Sequence, residues 1–418
     1  MRTDDDTRTR PSGPRRRPAE RRPWAASAIA AALLLVVALV TGACADDDGG
    51  SADGADTTTT TAARPGVPVV DESPDDPAFA TPGPFEVGVT TLALPDRKVE
   101  VWYPAADGST EGQPEATYSQ LDALPADLAA AAPALLPADV PISALTVTMA
   151  DTFRDVPGST DGPFPLMLFS HGFGSYRMDA SALVRGIASW GFVVAAPDHT
   201  ERGRAAMVTG GAKSDTAKDV AVLIDTITLV GDATGPLAGL ADTDLVGAVG
   251  HSAGGRAVLT ALSEPQVDVA VGWAAAGRED GPPPEKPSMN IAARKDILVP
   301  LAEVEDTYAG LAPPKRLVVI DGAGHNSFTD ICLAVANGND LIGLAERVGI
   351  KIPAELAEGG KDGCSPESTP PATVWAITQN FTVAELREGL GLDDSGTGLG
   401  KGVADEFDAT IEYRQELK

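Results

Sequence analysis

Leu245-Val246-Gly247-Ala248-Val249-Gly250-His251-Ser252-Ala253-Gly254 is the segment that indicates the fold most directly. Residues 245–249 are apolar and partly β-branched and predict a buried strand, whereas residues 255–263 have the apolar spacing of a helix. A strand, a Gly-x-Ser-x-Gly turn and a helix in this order are typical of a nucleophile elbow. The outer glycines would allow close backbone approach, and the serine would lie at a helix N-terminus, where negative charge is favoured. The simpler interpretation is a glycine-rich turn that carries a serine by chance.

The predicted elbow belongs to a longer alternation of strands and helices. Helices are predicted over residues 180–189 and 218–228, and five more apolar runs predict buried strands at residues 164–170, 192–196, 267–274, 288–293 and 315–320. This alternation predicts an α/β fold with a mostly parallel central sheet and helices on both faces. Residues 85–94 and 99–104 alternate apolar and polar side chains, which predicts an antiparallel pair at the sheet edge. The Ala/Leu/Pro-rich residues 118–150 predict short helices that form a wall or lid over the sheet.

Candidate catalytic residues follow the predicted strands at their carboxyl ends, where sites form in sheets of this kind. Acyl transfer by serine requires a nucleophile, a histidine base and an orienting carboxylate, and the chain order Ser-Asp-His is that of this architecture. Ser252 is the predicted nucleophile, and His325, the only histidine after it, is the predicted base. Asp296 is the predicted carboxylate. Glu279 and Asp280 are the alternatives to it, whereas Asp321 and Asp330 are expected to shape the loop around the histidine.

The backbone amides of Phe173 and Ala253 are the predicted oxyanion donors, from the glycine-rich loop after residues 164–170 and from the elbow. His171 and His251 are expected to pack and form hydrogen bonds, and His199 to be structural or to line the pocket. The chain has four histidines in all, and their dispersal gives no metal-ligand spacing. No phosphate loop or dinucleotide fingerprint is visible either. We therefore expect neither a metal nor a cofactor.

The first 43 residues predict an export signal of the lipoprotein type. Arginines at 15–17 and 21–22 precede an uncharged apolar run from Trp24 to Val40, and Thr41-Gly42-Ala43-Cys44 follows. The small residues before Cys44 resemble a bacterial lipobox, in which the cysteine is lipidated after cleavage. The alternatives are an uncleaved membrane anchor and ordinary secretion. We expect an exported protein that is held on the cell membrane by a lipid anchor at Cys44 and faces outward.

The composition of the exported part bounds its organisation and partners. Residues 44–81 are rich in Asp, Thr and Pro and predict a disordered linker, which leaves residues 82–418 as one catalytic domain. The formal net charge of −28 argues against nucleic-acid binding and suits a neutral or cationic substrate. Cys332 and Cys364 remain as an even pair in an oxidising compartment, which predicts a disulfide that contributes about 3 kcal/mol.

Four segments together resemble a known family: Val101-Trp102-Tyr103-Pro104-Ala105, Leu168-Phe169-Ser170-His171-Gly172-Phe173-Gly174, Val193-Val194-Ala195-Ala196-Pro197-Asp198-His199 and Gly250-His251-Ser252-Ala253-Gly254. The chain is similar to the platelet-activating factor acetylhydrolase-like branch of the α/β-hydrolases, close to the dienelactone-hydrolase-like and cutinase-like polyester hydrolases. This resemblance implies an α/β-hydrolase fold and a metal-independent serine esterase. Dienelactone hydrolases proper use cysteine at the position of Ser252, which argues against that activity.

The expected function is cleavage of carboxylic esters (short-chain, lipid-like or polyester) through an acyl-enzyme. The expected partners are a small-molecule, lipid or polymer ester and, through the N-terminal lipid anchor, the membrane. Neither nucleic acid nor an obligatory protein partner is expected. Two alternatives remain open: a non-catalytic surface binding lipoprotein with a hydrolase fold, and an amidase or thioesterase that uses the same three residues.

Overall fold

A computed structural model describes residues 66–70, 72–279, 281–336, 338, 340–347, 351 and 354–418. The predicted export signal, Cys44 and the first part of the predicted linker lie outside these ranges. The described residues form eleven strands: β1 (Val87–Leu94), β2 (Arg97–Pro104), β3 (Glu115–Ser119), β4 (Thr146–Arg154), β5 (Phe164–Ser170), β6 (Val193–Pro197), β7 (Ala241–His251), β8 (Val269–Trp273), β9 (Ser288–Ala293), β10 (Lys315–Ile320) and β11 (Ile411–Glu416).

Within the same ranges there are ten α-helices: α1 (Ala126–Leu135), α2 (Ser181–Ala188), α3 (Arg204–Val208), α4 (Thr216–Gly231), α5 (Ala253–Ala261), α6 (Leu301–Ala309), α7 (Ile331–Ala336), α8 (Leu341–Arg347), α9 (Ala354–Gly359) and α10 (Pro371–Gly389). Short 3₁₀ turns, among them Gln120–Ala123 and His325–Phe328, connect several of them. None of the helices in the described part of the chain has the length and apolar character needed to cross a bilayer.

All eleven strands belong to one sheet, in the order β11-β10-β9-β8-β7-β5-β6-β2-β1-β4-β3. The six strands from β10 to β6 are mutually parallel, as predicted for the centre of the sheet. Parallel neighbours end at the same edge, and in this register Ser170 of β5 lies opposite Gly250 of β7. The loops that follow β5, β7, β9 and β10 therefore meet at one edge of the sheet.

The core fills both faces of this sheet because the side chains of most central strands are buried: all of those in β5, β6, β8, β9 and β10, and those of β7 from Val246 onward. In β5, Leu166 and Leu168 belong to one apolar cluster, whereas Met167 and Phe169 belong to the other, as the alternation of a strand requires. Helices α4 and α5 pack on the first face, and α2 and α10 pack on the second. Burial of each such side chain stabilises the fold by about 1.5–3 kcal/mol.

The outer part of the sheet differs from the expectation. The predicted pair β1–β2 is antiparallel, but it is not at the edge, because β4 pairs with β1 and β3 pairs with β4. Residues 118–150, predicted as short helices, contain α1 but begin within β3 and end within β4. The β-branched Thr146-Val147-Thr148 start of β4 favours a strand and outweighs the Ala-rich composition of its surroundings. Strand β11, which the apolar pattern did not predict, has the charged side chains typical of an edge strand.

The packed chain also begins earlier than the predicted boundary at residue 82. Phe79 is fully buried, and its amide donates a hydrogen bond to Asn380 Oδ1 at 3.1 Å. Gln379 Nε2 donates to the Phe79 carbonyl at 2.7 Å. The last residues of the predicted linker are thus fixed against α10.

Candidate active site

Ser252 lies on the sharp turn between β7 and α5, as the elbow prediction requires. Its backbone has φ +56° and ψ −121°, a left-handed conformation that side-chain-bearing residues rarely adopt. The turn depends on its outer glycines: a Cβ on Gly250 would overlap the backbone of Gly254, and a Cβ on Gly254 would overlap the carbonyl of Ser170. The strained residue is therefore held in place by close packing of the elbow on the end of β5.

His325 and Asp296 contact each other although they belong to different loops, which follow β10 and β9 respectively. His325 Nδ1 is 2.7 Å from Asp296 Oδ2, and both residues are buried. The other carboxylate oxygen, Asp296 Oδ1, accepts hydrogen bonds from the amides of Leu298 (2.8 Å) and Val299 (2.7 Å). One oxygen is thus anchored by the backbone, which leaves the other to orient the imidazole.

Asp362, which sequence reasoning missed, connects the two loops. Its Oδ2 accepts from the amide of His325 at 2.8 Å and from the amide of Ile297 at 3.1 Å. Cys332 and Cys364 form a disulfide across the segment that carries Asp362, as the count of cysteines predicted. The disulfide-bonded segment after the histidine therefore supports the backbone of the His325 loop. Sequence offers no direct signal for Asp362, since it is one acidic residue among many.

The imidazole of His251, which belongs to the elbow, contacts both the backbone carbonyl and the ring of His325. Its Nε2 lies 3.0 Å from the His325 carbonyl oxygen, and the two rings are 4.7 Å apart. Burial, reinforced by the neighbouring His325, holds the pKa of His251 well below its ordinary value. The neutral ring can therefore donate from Nε2 to that carbonyl, in agreement with the expectation that His251 packs and hydrogen-bonds.

The predicted oxyanion donors lie where the elbow meets the glycine-rich loop after β5, which begins with residues 171–174 and is called the β5 loop below. A Cβ on Gly172 would be 3.0 Å from His251 Nδ1 and 3.4 Å from the Cβ of Ser252, so this loop touches the elbow directly. Ala253 is the first residue of α5, where an amide has no intrahelical partner. In the described part of the chain, the fold uses neither the Ala253 amide nor the Phe173 amide in a hydrogen bond between loops.

A cavity of about 760 Å³ opens onto these residues, and Ser252, His325 and Phe173 are part of its lining. Most of its wall is aliphatic and comes from residues 121–147, from α3 and from the loop after Asp296: Leu121, Leu124, Leu128, Leu135, Leu136, Leu145, Val147, Met207, Val208, Ile297, Leu298 and Val299. The predicted wall over the sheet is therefore present, although part of it is strand.

Three of the other acidic candidates, Asp321, Glu279 and Asp330, have partners other than the imidazole of His325. Asp321 pairs with Arg294 at the surface, and the amide of Glu279 donates to Thr260 Oγ1. Asp280 lies outside the described residues. Asp330 is buried in the cavity wall and accepts from the amide of Ser181 at 2.9 Å, at the start of α2. Burial raises the pKa of Asp330 to about 6.

A second polar cluster lies beneath the β5 loop, and sequence reasoning missed most of it. It consists of Ser170, His171, His199, Arg202 and Asp219, all of them buried. His199 Nε2 is 2.9 Å from Ser170 Oγ, and its Nδ1 is 2.9 Å from Asp219 Oδ1. His199 is thus structural and does not line the cavity. The only sequence signal was the position of His199 after a strand; nothing indicated that Arg202 and Asp219 would join it.

A strained serine after the central strand, with its candidate partners after neighbouring parallel strands, is the arrangement of the α/β-hydrolase fold. The chain has the α/β-hydrolase fold. Residues 80–229 match the family model described as platelet-activating factor acetylhydrolase, isoform II, which indicates an esterase-type hydrolase. This match includes the β5 loop and ends before Ser252.

Among solved structures, the chain is similar to the ferulic acid esterase from Streptomyces cinnamoneus. The two are 22% identical, the alignment covers 73% of this chain and 89% of the esterase, and the TM-score is 0.52. At this identity the likeness supports the shared fold.

Proposed function

We propose that this protein is an exported serine hydrolase that cleaves carboxylic esters with Ser252, His325 and Asp296. One observation carries the proposal: Ser252, in a strained turn, lines the same cavity as His325, whose Nδ1 is 2.7 Å from the buried Asp296. A strained serine, a histidine and a backbone-anchored carboxylate are the parts that acyl transfer requires. The family match to residues 80–229 supports the same reaction class.

In the proposed reaction, Ser252 Oγ attacks the ester carbonyl carbon while His325 Nε2 takes the hydroxyl proton. The carbonyl oxygen becomes an oxyanion, which the amides of Phe173 and Ala253 stabilise by about 3 kcal/mol each. His325 then gives its proton to the leaving alcohol, and an acyl-enzyme forms on Ser252. Water, deprotonated by the same histidine, hydrolyses this intermediate and restores the serine. Asp296 keeps the imidazole oriented throughout.

The cavity supports an apolar substrate. Ser252 shares this cavity with a largely aliphatic wall, and such a wall binds acyl or alkyl groups by removing them from water. The negative charge of the chain disfavours anionic substrates. A small-molecule, lipid or polymer ester with a neutral or cationic alcohol part fits both observations.

Export and lipidation at Cys44 are part of the proposal. The basic and apolar N-terminal pattern supports export, and a disulfide between Cys332 and Cys364 suits an oxidising compartment. Mass spectrometry of the mature protein from membranes would test this, because a diacylated N-terminal cysteine has a distinct mass. A mature N-terminus other than Cys44 would contradict lipidation.

The catalytic proposal is tested with the purified full-length protein and p-nitrophenyl esters of increasing acyl length, together with a fluorophosphonate probe that labels activated serines. We expect hydrolysis and labelling by the native protein and loss of both in Ser252→Ala. Ser395→Ala, the same change at an exposed position, is the control and should retain both. Hydrolysis that persists in Ser252→Ala would contradict the mechanism. Labelling without ester turnover, but with turnover of amides or thioesters, would move the assignment to that leaving group.

A further inference from the structure

Arg202 is fully buried beneath the β5 loop, and its guanidinium is used on three sides. Its Nε donates to Asp219 Oδ2 at 2.6 Å, and its Nη2 donates to Ser170 Oγ at 3.0 Å. Its Nη1 donates to two successive backbone carbonyls, those of His171 and Gly172, the latter at 2.9 Å. The buried Arg202 side chain thus binds the backbone of the loop that leads to Phe173.

The Gly172 carbonyl receives further donors from the same cluster. His171 Nδ1 is 2.9 Å from it, and the amide of Ser175 donates to it at 3.3 Å. The other ring nitrogen, His171 Nε2, accepts from the amide of His199 at 2.9 Å, so the proton of the neutral ring is on Nδ1. Burial, and then the charge of Arg202, holds the pKa of His171 well below its ordinary value, which keeps the ring in this neutral form.

The orientation of this carbonyl determines where the next amide points. The C=O of Gly172 and the N–H of Phe173 belong to one planar trans peptide, in which the two groups point in opposite directions. Because the carbonyl faces Arg202 in the interior, the Phe173 amide points away from it. Phe173 and Ser252 line the cavity, whereas Arg202 is not part of its wall.

We propose that Arg202 is a positioning residue: by holding the Gly172 carbonyl it presets the Phe173 amide as an oxyanion donor. This inference rests on the proposed esterase function and names a residue outside its reacting groups. Oxyanion donors are effective because they are oriented before charge develops. A loop whose carbonyls were free to rotate would have to be reoriented in each turnover.

Lysine cannot replace the guanidinium in this role. Arginine presents a rigid planar fork of donors, whereas the lysine ammonium is a single compact charge on a flexible stem. In Arg202→Lys the ammonium can keep its ion pair with Asp219 but cannot also span Ser170 and both carbonyls. The substitution therefore releases the loop while it preserves the buried charge balance.

The test compares Arg202→Lys with Arg316→Lys in the full-length protein. Arg316 is an equally buried arginine that pairs with Glu385 and Glu388, but it lies at the amino end of β10, away from the cavity. Both variants lose a buried fork, so both should lower Tm. Two further measurements separate positioning from stability: kcat and KM for p-nitrophenyl acetate, and the affinity for a trifluoromethyl ketone against that for its methyl ketone analogue. Ser252 adds to the carbonyl of the trifluoromethyl ketone, and the resulting oxyanion lies beside the Phe173 and Ala253 amides. The methyl ketone binds in the cavity without this addition.

For Arg202→Lys we expect kcat to fall about tenfold to hundredfold, since misplacement of a catalytic group costs this order of magnitude. KM should stay within about threefold, because the lost interaction is made in the transition state. The affinity for the trifluoromethyl ketone should fall in parallel with kcat, while the methyl ketone is unaffected. Arg316→Lys should leave all of these values unchanged.

Equal kinetics in the two lysine variants would overturn the positioning role, and so would equal loss of affinity for both ketones. If Arg202→Lys does not fold, the double variant Arg202→Gln/Asp219→Asn provides the same test, because two neutral amides replace the buried ion pair and the guanidinium that binds both carbonyls is lost. A folded double variant with native kcat would then refute the proposal. Failure of the esterase proposal itself is distinct, since the native protein would then lack activity.

Discussion

Asp296→Asn tests the orientation of His325 without changing the size of the side chain. In the structure Asp296 Oδ1 accepts from the amides of Leu298 and Val299, and Oδ2 faces His325 Nδ1. Asparagine has a single acceptor oxygen, and the two fixed backbone donors demand it. The amide nitrogen must therefore face His325. Because that nitrogen is a donor, it favours the ring tautomer with a bare Nδ1 and a proton on Nε2.

The magnitude follows from this change of tautomer. His325 with a proton on Nε2 cannot accept the proton of Ser252, so general-base catalysis is lost while the shape of the site is kept. The Asp-to-Asn change in serine triads lowers kcat by roughly 10⁴. At about 1.4 kcal/mol for each factor of ten, this equals about 5.5 kcal/mol of transition-state stabilisation. Asp296 is not part of the cavity lining, so KM should change little.

The assay measures kcat and KM for p-nitrophenyl acetate in Asp296→Asn and in Asp321→Asn, with circular dichroism to check folding. Asp321 is the matched control: it undergoes the same chemical change only four residues before His325, but its partner is Arg294 at the surface. Surface substitutions of this kind typically change free energies by no more than about 0.5 kcal/mol. The kcat of Asp321→Asn should therefore stay within about twofold of the native value. A folded Asp296→Asn variant with kcat within tenfold of native, or an equal loss in Asp321→Asn, would refute the assignment of the carboxylate.

Two further predictions concern the segment after His325. Replacing both Cys332 and Cys364 by serine should lower the free energy of unfolding by about 3 kcal/mol. It should also reduce kcat, because the bridged segment carries Asp362, which accepts a hydrogen bond from the His325 amide. Denaturant unfolding and steady-state kinetics check the two effects, and an unchanged kcat would contradict the role of this segment in supporting the His325 loop. For Asp330, burial raises the pKa to about 6, so its contribution to stability is present below about pH 4 and is lost as the pH rises through 6. Asp330→Asn should therefore gain stability relative to the native protein between pH 4 and 7, by up to about 3 kcal/mol, and a difference that is constant across guanidinium unfolding curves at these pH values would argue against this titration.

The centre of the fold was predictable because its signals are local. The apolar runs that became β5 to β10 are buried almost throughout, and the turn at Ser252 needs glycines that can be seen in the sequence. Parallel strands end at one edge, so the placement of His325 and Asp296 near each other follows once the strands are known. In the structure His325 Nδ1 and Asp296 Oδ2 are 2.7 Å apart.

Two features were not predictable in this way: the outer sheet, and the clamps, by which we mean Asp362 and Arg202, the side chains that bind the backbone of the site loops. Strands β3 and β4 interrupt an Ala-rich region, and β11 is too charged to give an apolar signal. Arg202 and Asp219 meet only because the loop after β6 and helix α4 pack together, and no spacing along the chain encodes that contact. Asp362 belongs to the disulfide-bonded segment after His325 and accepts from the His325 amide, 37 residues away in sequence. Such contacts depend on tertiary packing between distant segments, which periodicity does not report.

The clamps differ from the reacting residues in what they hold. Asp362 and Arg202 bind backbone groups of the loops rather than reacting side chains. For Arg202 this argues against a purely structural role. Burial of an arginine–aspartate pair carries a desolvation cost, and replacement of such pairs by apolar residues is often neutral or stabilising. The core alone would therefore be served as well by apolar side chains. The carbonyls of His171 and Gly172 would not, because they would lose the donors that orient the peptide before Phe173.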